Sequence, residues 1–189
     1  MKLRIAGVDL YVGYEAAAAM TAVLLLDREN RVICCFLAAV LHELGHIAAM
    51  RLCGVAVRGL RLRLFDVLIE ADQPPDYRSD CMITLGGVAA NFFFALIFLP
   101  FGMKLSLPNI ALGVFNLMPV MSLDGGHLLY IAMERRFQPK TCIAVIRLTT
   151  FVFIVPLMTA GIYLLLQSSY NYSLLAISLY LSAVLLLKS

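Results

Sequence analysis

Charge is what this 189-residue chain has least of. Asp, Glu, Lys and Arg make up only 14% of it, hydrophobic residues make up 62%, and the mean hydropathy is +0.90. A water-soluble domain carries about a quarter charged residues, so an ordinary soluble globule is excluded. The net charge of +3 is small and no basic stripe runs along the chain, which argues against a nucleic-acid partner. Cysteine is sparse as well. Cys34, Cys35, Cys53, Cys81 and Cys142 form no Cys-x-x-Cys pair, and their odd number gives no disulfide framework, so they read as small buried hydrophobes. Internal repeats, low-complexity tracts and flexible linkers are lacking, and the length suits a single domain over residues 1–189. Lys2 and Arg4 before an apolar stretch faintly suggest a signal peptide, but Asp9 and Glu15 interrupt its core, which favours an uncleaved first span.

The apolar residues are gathered into long runs, the mark of an all-α polytopic membrane protein. Six spans are expected. Residues Met1–Leu10 read as an interfacial lead-in, and a first span follows over Tyr11–Leu26. The second occupies Val32–Leu52 and the third Cys81–Phe101. After a polar turn around Lys104, a fourth segment, Pro108–Leu117, runs into a break at Pro119 and restarts over His127–Met133. Thr141–Leu166 and Tyr172–Leu187 complete the set, with packing and enclosure as their expected role. Between the second and third spans the pattern changes to period two: Leu60, Leu62 and Leu64 alternate with Arg61 and Arg63. This is the signal of a small membrane-associated β-hairpin, serving either as a plain connection or as an edge offered to an extended peptide.

Histidine is rarer still, at three residues, yet two of them fall in His42-Glu43-Leu44-Gly45-His46 inside the second span. Imidazoles four residues apart project from one helical face, so both can bind a single zinc ion, and the intervening Glu43 can act on a water there. Such residues are costly at membrane depth and read as functional by default. A catalytic zinc has three protein ligands and one open position. Asp124, in the glycine-rich break Leu123-Asp124-Gly125-Gly126, is the best third ligand among the polar residues at that depth. Glu43 is then the general base in peptide hydrolysis, and Asn116 or Asn91 is a neutral donor for the substrate or the oxyanion. Asn91 also suits a plain interhelical hydrogen bond, on the small-residue face formed with Gly86, Gly87 and Ala90. His127, three residues after Asp124, suits either support of the metal site or the polar end of a helix.

The motifs His42-Glu43-Leu44-Gly45-His46, Gly86-Gly87 with Asn91, and Asn116-Leu117-Met118-Pro119 leading to Leu123-Asp124-Gly125-Gly126, in this order, resemble those of the site-2 protease family of intramembrane zinc metalloproteases. The resemblance spans about residues 32–135. It implies one zinc ion held by His42, His46 and Asp124, with Glu43 catalytic. It also implies regulated intramembrane proteolysis: cleavage in or near a transmembrane segment of a membrane-protein substrate, under a regulatory membrane protein. Val88 and Met121 stand where many members have proline. The compact layout, without room for PDZ or CBS modules, is most similar to the sporulation-type branch that processes pro-sigma factors in the bacterial cell membrane.

Twelve of the fifteen Lys and Arg residues fall on one side of the six-span layout, so the positive-inside rule puts both termini and the strand loop in the cytoplasm. Two rival readings remain. One is a catalytically inactive zinc-binding membrane protein that binds transmembrane partners. Glu43 counts against it, because a structural zinc site needs no base. The other, a small transporter, is disfavoured because the polar residues cluster as a ligand set.

Overall fold

Period-two sequence turns out to be more widespread than the hairpin signal alone indicates. The computed structural model describes residues 2–5, 8–12, 14, 21, 31–62 and 67–167. Its elements are β1 (Lys2–Ile5), β2 (Val8–Val12), α1 (Arg31–Leu52), β3 (Val57–Leu62), β4 (Val67–Ala71), α2 (Tyr77–Phe98), a 3-10 turn (Leu99–Phe101), α3 (Met103–Asn116), α4 (Asp124–Glu134) and α5 (Pro139–Gln167). They fall into two compact units, Met1–Phe115 and Asn116–Ser189.

In the first unit the strands form one four-stranded sheet in the order β1-β2-β3-β4. The expected hairpin is present as β3–β4, antiparallel, with a register shift between Val57 and Gly59. The expected lead-in is corrected: Lys2–Ile5 and Val8–Val12 pair antiparallel, and β2 then pairs parallel to β3. Lys2-Leu3-Arg4-Ile5 alternates as strictly as Leu60-Arg61-Leu62, so the same pleated-sheet signal was available there. A parallel pair requires a long crossover, and the connection from β2 to β3 contains α1. Arg61 ties three strands together. Its guanidinium lies 5.2 Å from the Tyr11 ring centroid on β2, and its Nε is 2.5 Å from Glu70 Oε1 on β4.

Among the described residues, three helices are long and apolar enough to cross a membrane: Val32–Leu52, Tyr77–Phe101 and Pro139–Tyr163. They match the second, third and fifth expected spans to within a few residues. The first expected span is corrected at its start, since Tyr11 and Val12 belong to β2; nearly all of its remainder, and all of Tyr172–Leu187, lie outside the described residues. The fourth differs in kind. The helix begins at Met103, five residues before Pro108, and ends at Asn116. At 1.5 Å per residue, α3 is about 21 Å long, short of the ~30 Å hydrocarbon core.

Helix ends follow from local sequence. At the end of α1, Val55 N–H donates to Met50 O (2.8 Å) and Gly54 N–H to Arg51 O (3.2 Å), with Gly54 at φ +73. This pair of bonds around a left-handed glycine satisfies carbonyls the helix cannot. Ala49, Val55 and Ile83 bury a small apolar cluster beside it, with Met50, Cys53 and Ala71 packed against them. At the start of α2, Pro74-Pro75 precede Asp76, whose carboxylate accepts the Ser79 N–H at 2.8 Å.

In the second unit, Pro119 lies in an irregular stretch between α3 and α4, as its missing N–H requires. Non-helical backbone in a membrane protein needs partners, and α5 supplies them. Thr150 Oγ accepts the Met121 N–H at 2.9 Å, while Thr149 Oγ donates to Pro119 O at 2.8 Å. α5 therefore does more than enclose. The chain folds tightly enough that a Cβ at Gly125 would overlap the Leu117 carbonyl, and one at Gly126 that of Val120.

Two predictions follow from these anchors. The hydrogen bonds from Ser79 hold the Asp76 carboxyl below its ordinary value. A lowered folded-state pKa stabilises above the unfolded value and is lost as pH falls through the folded one. The protection factor of the Ser79 amide in hydrogen exchange is therefore expected to fall in that acid range, and to be low at every pH in Asp76→Ala. Thr150→Val keeps the shape but orphans the Met121 N–H, and is expected to destabilise the protein by about 1–3 kcal/mol in thermal or denaturant unfolding in micelles.

Candidate metal centre

His42 and His46 lie one turn apart on α1, and what they face is set by α2. The two helices cross closely because both are glycine at the contact. A Cβ on Gly45 would overlap the Gly86 carbonyl, and one on Gly86 would lie 2.7 Å from Ala49 Cβ. A Cβ on Gly87 would lie 2.5 Å from His46 Nε2 and 2.7 Å from His42 Cε1. The Gly86-Gly87 pair thus makes the space in which the imidazoles stand, a role beyond the small-residue packing face seen in the sequence.

Each ring is oriented by one acceptor. His42 is 5% exposed, and its Nδ1 is 2.6 Å from Asn91 Oδ1. His46 Nδ1 is 2.8 Å from the Ile83 carbonyl. The Asn91 amide is itself fixed, since its Nδ2 donates to Ala38 O (3.0 Å) and to Asn109 Oδ1 (3.1 Å), leaving Oδ1 for the histidine. Both Nδ1 atoms therefore donate, which in the neutral rings places the proton away from Nε2. The two Nε2 atoms face each other at 3.1 Å.

A zinc ion fits that arrangement. Two nitrogens each about 2.0–2.1 Å from one tetrahedral ion are about 3.3 Å apart. Donation of the other ring N–H to a carbonyl or amide is the usual way a protein orients a zinc-binding histidine. Glu43, adjacent to His42 on the same helix, is half-buried.

The other candidates divide between the units. Asn91 is fully buried beside the histidines, and both its amide protons are engaged. Asn116 is buried, Asp124 is half-buried at the first position of α4, and His127 is exposed one turn later; all three belong to the second unit. The sequence reading missed Asn109. Its signal was faint: one polar residue beside Pro108 in an apolar run.

Residues 98–157, which contain the Asn116-to-Asp124 motif, match the model of peptidase family M50. Over 115 residues the chain is 28% identical to a zinc metalloprotease of Methanocaldococcus jannaschii, covering 54% of this chain. It spans about a third of that curated relative, 34% of its length. The fold is similar to a solved site-2 protease from the same organism, with a TM-score of 0.71 at 21% identity, covering 96% of this chain and 91% of that one. The chain is therefore similar to peptidase family M50 over residues 98–157 and to a site-2 protease in fold. Three membrane-length apolar helices among the described residues, and a histidine pair whose Nε2 atoms converge, accord with that similarity.

Asn91→Leu removes the acceptor that orients His42. It is expected to weaken zinc binding by about 10–100-fold, measured by chelator competition on purified protein.

Proposed function

We propose that this protein is an intramembrane zinc metalloprotease that hydrolyses a peptide bond in or near a transmembrane segment of a membrane-protein substrate. The observation that carries the reading is the convergence of two imidazole Nε2 atoms with a carboxylic acid, Glu43, between them in sequence. To the two imidazole nitrogens of His42 and His46 the proposal adds the carboxylate of Asp124, the acidic residue of the glycine-rich motif, as third ligand. This donor set is that of a catalytic rather than a structural zinc, because three protein ligands leave one position open.

Zinc bound there supplies a Lewis acid that makes water nucleophilic near neutral pH and polarises the scissile carbonyl. Glu43 takes the proton from the attacking water and returns it to the leaving amine nitrogen, which balances the hydrolysis. Asn91 orients His42, and with both amide protons engaged it has none to give an oxyanion. Asn116 is therefore the neutral donor we assign to the substrate or the developing oxyanion. Carbonyls inside a helix are tied to the amide four residues on, so the substrate segment must unwind locally before cleavage.

The catalytic residues fall within about 32–135 of a single membrane-embedded domain. Biologically the reading is regulated proteolysis in a bacterial cell membrane, with both termini cytoplasmic by the distribution of Lys and Arg and a membrane protein controlling access. The non-enzymatic alternative gains no support from the site, whose proton acceptor a passive binder would not need.

Glu43→Gln tests the proposal. The variant is expected to keep one zinc per chain by elemental analysis while losing at least about 100-fold in cleavage rate. Its host membranes should accumulate an uncut membrane protein that wild type removes. Cleavage at the wild-type rate, or a wild-type protein without stoichiometric zinc, would overturn it.

A further inference from the structure

The orientation of His42 does not end at Asn91. Asn109, on α3, is 1% exposed. Its Nδ2 donates to the Leu105 carbonyl one turn back at 2.9 Å, and its Oδ1 accepts from Asn91 Nδ2 at 3.1 Å. The direction of this chain is fixed by two backbone acceptors, Leu105 O at its far end and Ala38 O beside Asn91. A backbone carbonyl only accepts, so the Asn109 amino group must face Leu105, and its oxygen must face Asn91. Asn91 is then compelled to turn its own amino group toward Asn109 and Ala38, and its oxygen toward His42. Reversing either amide would set oxygen against oxygen at 2.9–3.1 Å in a buried site, where an unpaired polar group is expensive. The neighbourhood is otherwise closed. Gly113, one turn along α3, lies against Phe92 and Asn91 Cβ, and Ser106 Oγ donates to Ala95 O, which seats α3 on α2.

We propose that Asn109 is a positioning residue for the metal centre. Acting through Asn91, it holds His42 in the tautomer that carries its proton on Nδ1, the form in which Nε2 can ligate zinc. The proposal rests on the reading of His42 as a zinc ligand. It makes α3, which holds none of the family motifs before its last residue, Asn116, part of the machinery of α1.

The test uses the full-length protein in micelles, with two readouts: zinc affinity by chelator competition, and the nitrogen-15 shifts of the His42 ring in metal-free protein. In wild type the ring is expected to be the Nδ1–H tautomer. Asn109→Leu removes one of the two acceptors that hold the Asn91 amino group and leaves only Ala38 O, so the amide is held less firmly; zinc binding should weaken about tenfold and the His42 signals should move toward a mixture of tautomers. Asn109→Asp should rescue both, within about twofold in affinity. In its neutral form the new side chain's hydroxyl donates to Leu105 O and its carbonyl accepts from Asn91. If leucine is not accommodated, Asn109→Ala gives the same reading with less bulk.

Wild-type affinity and an unchanged His42 tautomer in Asn109→Leu would overturn the proposal while leaving the metal centre intact. Equal weakening in the Leu and Asp variants with the tautomer unchanged would also overturn it, reducing Asn109 to packing. A wild-type protein that binds no zinc would instead remove the metal centre itself, and this inference with it.

Discussion

Two imidazoles occupy the space that a side chain at residue 87 would fill, and most of the first unit can be traced to that. The rings can stand there only because α1 and α2 approach at Gly45 and Gly86, where either Cβ would collide with the opposite backbone. The close approach brings Asn91 and the Ile83 carbonyl within hydrogen-bonding distance of the two Nδ1 atoms. With both protons placed on Nδ1, the Nε2 lone pairs converge at 3.1 Å. That spacing is close to the one two imidazole nitrogens take around a single tetrahedral cation, and it is set by helix packing.

The second unit solves a different problem with a different device. Asp124 opens α4, and the backbone leading to it is not helical. Pro119 breaks the regular pattern, and the amide and carbonyl groups left over around it are taken up by Thr149 and Thr150. Gly125 and Gly126 let the first turn of α4 lie against the carbonyls of that loop. The irregular stretch is thereby as fully hydrogen-bonded at these points as the helices on either side, which is the condition for its presence at membrane depth.

Much of this was legible in residues alone. Val32–Leu52 was recognisable as a span because its apolar run is unbroken as far as Met50 except by the motif, and Gly54 was legible as its stop. The four-residue spacing of His42 and His46 is a property of any helix and needs no tertiary information. What escaped notice was the alternation in Lys2–Ile5 and Val8–Val12, a signal of only four or five residues read as the approach to a span. The start of α3 was also missed, because Lys104, Ser106 and Pro108 look like a turn. Ser106 is instead buried, its hydroxyl satisfied by the Ala95 carbonyl.

The sequence by itself determined which residues can ligate a metal and which segments are apolar enough to cross a bilayer, because both depend on side-chain chemistry and local periodicity. Tertiary structure decided what the asparagines do. Asn91 stands 49 residues from His42 and 18 from Asn109, and no local pattern specifies which way its amide turns. That direction follows from which acceptors three packed helices bring to it. A hydrogen bond has a sense as well as a distance, and only the assembled neighbours supply it.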